Sequence, residues 1–88
     1  MLVDDILYKL MRDLGYTGDR PTIDECEQFA RDKDKNFIMC LDYDDDLDCW
    51  MFIVRNIKTD YYYKQPPTPG MEINVARSWG IEHILRRL

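Results

Sequence analysis

The stretch between residues 36 and 57 constrains the fold more than any other part of this chain. On either side of Asp44, Asp45 and Asp46 lie two segments, residues 36–43 and 47–57, in which β-branched, aromatic and long apolar side chains recur at a period of two. That pattern predicts two antiparallel strands joined by an acidic turn. Both faces of the pleat are apolar, whereas an antiparallel sheet with one wet face alternates apolar with polar residues. The hairpin therefore needs cover on both sides, from the rest of the chain or from a partner.

Residues directly opposite in such a pair share a face, so the register decides which side chains meet. Pairing Tyr43 with Leu47 sets Leu41 opposite Cys49, Met39 opposite Met51 and Phe37 opposite Ile53, all apolar. A slip by one residue sets Leu41 against Asp48, so the first register is expected. It sends Cys40 and Cys49 to opposite faces and makes Asp42 face Asp48, two like charges that need relief by water, a cation or a partner. It also lines the second face with Ile38, Trp50, Phe52 and Val54. Left uncovered, these four predict self-association as a homodimer or docking of a protein partner.

The flanking segments read as helices. Val3, Ile6, Leu7, Leu10, Met11 and Leu14 have helical spacing, with Asp4 and Asp5 at the positive end of the dipole and Gly15 as a left-handed stop. After a loop, Thr22 and Glu25 form a capping box for a second helix with the stripe Ile23, Cys26, Phe29 and Ala30, ending near Lys35. Downstream of the hairpin, a turn near residues 58–60 leads to a third strand through Tyr61, Tyr62 and Tyr63. Thr68 as N-cap with Pro69 at the first helical position starts a last helix, which Gly80 ends or kinks. The expected fold class is α+β in a single domain over residues 1–88, with two N-terminal helices, a two- or three-stranded antiparallel sheet carrying an acidic hairpin, and a C-terminal helical segment.

Composition narrows the function classes. No apolar run is long enough to span a bilayer, and Asp4 and Asp5 stand where a secretory leader carries bases, so a cytoplasmic protein without membrane contact is expected. Cys26, Cys40 and Cys49 are odd in number and lack CxxC spacing, which fits reduced, buried thiols. The net charge of −5 is uneven: residues 1–50 hold 14 acids and 6 bases, residues 51–88 hold 3 acids and 6 bases. An acidic field repels phosphates, so a nucleic-acid partner is not expected.

The densest chemical feature is Asp42, Asp44, Asp45, Asp46 and Asp48, five carboxylates within seven residues. A solvated turn accounts for it most simply. Asp42, Asp44 and Asp46 have the first spacings of an EF-hand calcium loop, but Leu47 replaces its glycine and Ile53 its bidentate glutamate, so no metal is expected there. As a sharper alternative, the carboxylates form a phosphate-like array offered to a basic groove on another protein, as in an inhibitor.

Elsewhere the signals are thinner. Ala76, Arg77, Ser78, Trp79, Gly80 and Ile81 resemble the centre of a helix-turn-helix, which implies a small DNA-binding regulator with Arg77, Arg86 and Arg87 on phosphate. Arg86 interrupts the core pattern of that family, and the second helix is short. Tyr61–Tyr63 between Lys58 and Lys64 suggest base stacking, although successive strand residues alternate faces. His83, the sole histidine, reads as a surface residue. With no phosphate loop, no HExxH and no activated nucleophile, neither catalysis nor a cofactor is expected. The expectation is a non-enzymatic protein-binding module whose partner carries a basic, nucleic-acid-binding site. DNA binding and divalent-cation binding at the hairpin are the alternatives.

Overall fold

A computed structural model describes residues 1–88, with α1 (Asp5–Asp13), α2 (Ile23–Lys33), β1 (Phe37–Asp44), β2 (Cys49–Asn56), β3 (Tyr62–Lys64) and α3 (Ile73–Arg86). This is the α+β order that the periodicity predicts, with a three-stranded antiparallel sheet in the order β1-β2-β3. The strand through the tyrosines forms, displaced by one residue toward Lys64.

The first two helices start where their caps dictate. Asp4 accepts a hydrogen bond from the Leu7 N–H at 2.9 Å, and Gly15 takes φ 102° after α1 ends. Thr22 and Glu25 make both halves of the capping box. One tie was not legible in the pattern: Leu2 and Thr22 form an isolated antiparallel bridge. Arg20 reinforces it by donating to the Val3 carbonyl at 3.1 Å.

The register departs from expectation. Leu41 lies opposite Phe52, Tyr43 opposite Trp50 and Asp44 opposite Cys49, three residues away from the anticipated pairing. The turn is the cause. It spans residues 45–48, one residue longer than expected, because the Asp44 carboxylate accepts from the N–H groups of Asp46 (2.9 Å) and Leu47 (3.1 Å), while Asp48 closes the loop at φ 47°. The next turn repeats this design. Asn56 Oδ1 accepts from the N–H groups of Lys58 (2.9 Å) and Thr59 (3.1 Å), and Asp60 closes at φ 62°.

An odd displacement exchanges the faces of one strand relative to the other. Phe37, Met39 and Leu41 now share a face with Phe52 and Val54, and this face packs on the helices through Leu7, Met11, Cys26, Ile81 and Ile84. Ile38 lies on the opposite face, 40% exposed, whereas Phe52 and Val54 are 1% and 0% exposed. The grouping of Ile38, Trp50, Phe52 and Val54 as one uncovered patch is therefore corrected: two of its members are core, and the four do not share a face. Asp42 lies opposite Met51, so the anticipated Asp42–Asp48 repulsion across the ladder does not arise. Cys40 and Cys49 fall on the same face, Cys49 buried and Cys40 exposed, which corrects the expectation of three buried thiols.

The C-terminal helix is also corrected. Thr68 does not cap it; the Met71 N–H donates to the Thr68 carbonyl at 3.1 Å in a turn where Gly70 takes φ 77°, and α3 starts only at Ile73. Residues 65–71 instead flank β2, with the Gln65 N–H bonded to the Phe52 carbonyl and the Trp50 N–H to the Met71 carbonyl. There Met71 packs with Cys49, Met51 and Ala76 in a second small core. Gly80 does not end α3, which continues to Arg86. It is buried where the helix crosses the sheet, and a Cβ there would lie 2.5 Å from Met39 Sδ and 3.2 Å from Phe52 Cβ.

Candidate functional site

The five aspartates of the hairpin divide by role. Asp44 is a structural part of the turn. The Asp48 carboxylate accepts a hydrogen bond from the Tyr43 hydroxyl, and this bond, ahead of desolvation, holds the Tyr43 phenol above its ordinary pKa. Asp42 accepts from the Tyr43 N–H at 3.0 Å. Asp45 and Asp46 make no side-chain hydrogen bond and stand exposed at the tip. Each of the six ion pairs in the molecule lies elsewhere, so no base of the chain neutralises any of the five. No three Asp, Glu, His or Cys side chains converge as a metal site, at the hairpin or elsewhere.

Beneath the tip the surface is concave and remains acidic and aromatic. Tyr43 and Trp50 from the sheet and Asp48 from the turn face Met71 and Glu72 from the approach to α3 across a cleft of about 480 Å³ that no Lys or Arg lines. The Tyr43 and Trp50 rings are 5.2 Å apart at 50°. The register explains the contact, since these two residues form a cross-strand pair.

The bases considered for phosphate are engaged inside the molecule. Arg77 bonds Glu27 at 3.0 Å and Asp24 at 2.6 Å, Arg86 bonds Glu82 at 2.9 Å, and the Arg87 guanidinium lies 3.9 Å from the Tyr61 ring centroid. Ala76–Ile81 sit within one uninterrupted helix, so the likeness to a helix-turn-helix is not realised. The three tyrosines do not form a stacking platform: Tyr62 is exposed, Tyr63 stacks on His83 and Tyr61 lies beside Arg87.

His83 is not a free surface residue. Its ring stacks 4.2 Å from Tyr63 and lies 5.1 Å from Phe52, and desolvation pushes its pKa down. With Trp79, Glu82 and Gln65 it lines a second cleft, of about 290 Å³, between α3 and the segment after β3. Sequence reading missed this site, although Trp79, Glu82 and His83 have the i, i+3, i+4 spacing of one helix face. No family model, curated protein or solved structure matches the chain.

Proposed function

We propose that this protein is a non-enzymatic protein-binding module that presents the β1–β2 tip to a basic, nucleic-acid-binding surface of a partner, as an inhibitor would. One observation carries the reading: five carboxylates within seven residues have no internal counter-charge. Side-chain hydrogen bonds hold Asp42, Asp44 and Asp48 in place, so part of the array is pre-organised and costs little entropy to present. The adjoining Tyr43–Trp50 cleft gives the stem of a partner's Arg or Lys an apolar wall next to Asp48 and Glu72.

A rim array of this kind acts mainly on association rate and is screened by salt, because the Debye length at physiological ionic strength is about 8 Å. The test is capture from a host lysate with the wild type and with the Asp45→Asn, Asp46→Asn double variant, which leaves the hydrogen bonds of Asp44 and Asp48 intact. Basic proteins retained by the wild type, released by added duplex DNA or RNA and by rising salt, and lost from the double variant are expected. Undiminished capture by the double variant, with unchanged salt elution, sinks the reading.

A further inference from the structure

The cleft between α3 and the segment after β3 holds a group that the fold leaves without a partner. Gln65 is 4% exposed, yet its Oε1 is the one buried side-chain polar atom in the molecule with no hydrogen bond. Its Nε2 is turned to the sulfur of Met71 at 3.2 Å. A thioether is a weak acceptor, so this contact holds the amide loosely. Gln65 lines the cleft and Met71 does not, but Oε1 itself is buried, so a ligand in the cleft reaches it only when the amide turns. Buried acceptors are almost always paired, and one left open beside a cavity asks for a donor.

The remaining walls define that donor. Tyr63 and His83 form a stacked pair, and Trp79 on α3 is 46% exposed. Glu82 gives one oxygen to Arg86 and keeps the other free, and no Lys or Arg lines the cleft. His83 is held toward its neutral form by burial. The site thus offers aromatic surface, one carboxylate oxygen and one amide oxygen, with no fixed cation. Ring faces attract cations, and among cations a guanidinium is flat, weakly hydrated and rich in in-plane donors, whereas an ammonium is a strongly hydrated point charge.

We propose that this cleft binds a guanidinium group, stacked on the Trp79 side and donating to Gln65 Oε1 and to the free Glu82 oxygen, with a small turn of the Gln65 side chain bringing its oxygen forward. The site is separate from the acidic tip: the two clefts share no lining residue. It therefore stands or falls independently of the function proposed above.

The test is a two-dimensional NMR titration of the intact protein with ethylguanidinium, with the peptide Gly-Arg-Gly, and with butylammonium and N-ethylurea as controls. Saturable shifts of the Trp79 indole N–H and the Gln65 side-chain NH₂ are expected with the two guanidinium probes. The controls should bind at least about tenfold more weakly, a difference of about 1.4 kcal/mol. If the peptide binds more tightly than ethylguanidinium, the group comes from an arginine of a polypeptide; equal affinity indicates a free small molecule. Glu82→Gln and Gln65→Leu should each weaken binding at least about threefold while the rest of the spectrum stays native. Unsaturable shifts up to tens of millimolar, equal response to N-ethylurea, or undiminished binding in both variants overturns the proposal.

Discussion

Asn56 carries more of this fold than its residue type suggests. It is 3% exposed, caps two N–H groups of the second turn and donates to Asp34 at 3.2 Å. Removing it orphans those groups, and Asn56→Ala should cost about 2 kcal/mol, read as a lower urea midpoint at unchanged slope. Asp60, at φ 62°, makes the converse case. Asp60→Gly should leave stability within about 0.5 kcal/mol, whereas Asp60→Val should cost roughly 1–2 kcal/mol, because a β-branched residue resists the left-handed region. His83 gives the protein a pH dependence of definite sign. Burial lowers its folded pKa below the unfolded value, so the unfolded chain takes up the proton first. Stability should be full above about pH 6.5, fall as pH drops below it, and level off beneath the folded pKa. Glu25 and Asp34, whose pKa values are lowered by hydrogen bonds from Thr22 and Asn36, lose their contribution only lower, in the ordinary carboxylate range. Urea midpoints between about pH 7 and pH 5 therefore isolate the histidine, and His83→Phe should flatten that interval.

Among the elements, those with a local chemical signature were legible in the sequence. Thr22 with Glu25, Asp4 at the start of the first helix, and Gly15 after it each act within a few residues, so pattern and structure agree there. Asp4, expected as a charge on the dipole, also serves as the cap. The register was not legible, and the reason is specific. Residues 37–41 and 49–54 are apolar at both parities, so a slip by an odd number still matches apolar with apolar, and the decision falls to the turn. That turn depends on one carboxylate bonding two N–H groups, which composition alone does not reveal. For the same reason the expected apolar patch came apart: Phe52 and Val54 went to the core and Ile38 to the opposite face, where it is exposed. Gly80 looked like a helix stop because a glycine's backbone freedom is visible in sequence and its packing is not. Its use is close approach: Gly80→Ala gains helix propensity of up to about 1 kcal/mol but drives a methyl into Met39 and the stiffer Phe52 Cβ. A net loss of about 1–2 kcal/mol is expected, and Met39→Ala in the same background should recover part of it by clearing the nearer clash.

At the scale of the whole molecule, the helices bury one face of the sheet; on the other, Met71 and Ala76 cover Cys49 and Met51, while Ile38, Cys40 and Tyr62 stand exposed among Asp42, Arg55 and Lys64. No helix is long and apolar enough to cross a membrane. The thiols report on this division of each face into covered and open parts. Cys40 is exposed on the open face, while Cys26 and Cys49 are 0% exposed, and burial pushes Cys26 up to about 11, so that little thiolate forms even when a reagent reaches it. With a chromogenic disulfide near pH 8, one thiol should react at the rate of a free cysteine, and two should react only as fast as the protein opens. The slow phase should follow global stability: Asn56→Ala and Gly80→Ala accelerate it, roughly tenfold for each 1.4 kcal/mol lost when closing outpaces reaction, while the fast phase stays unchanged. Three fast thiols would mean that the second core around Cys49, Met51 and Met71 does not hold and that α1 and α2 do not shield Cys26. No fast thiol would mean that the face bearing Cys40 is covered, by a second copy or by this chain. Either result contradicts the burial described, whereas a clean one-to-two division supports it at the scale where register, turn and helix packing act together.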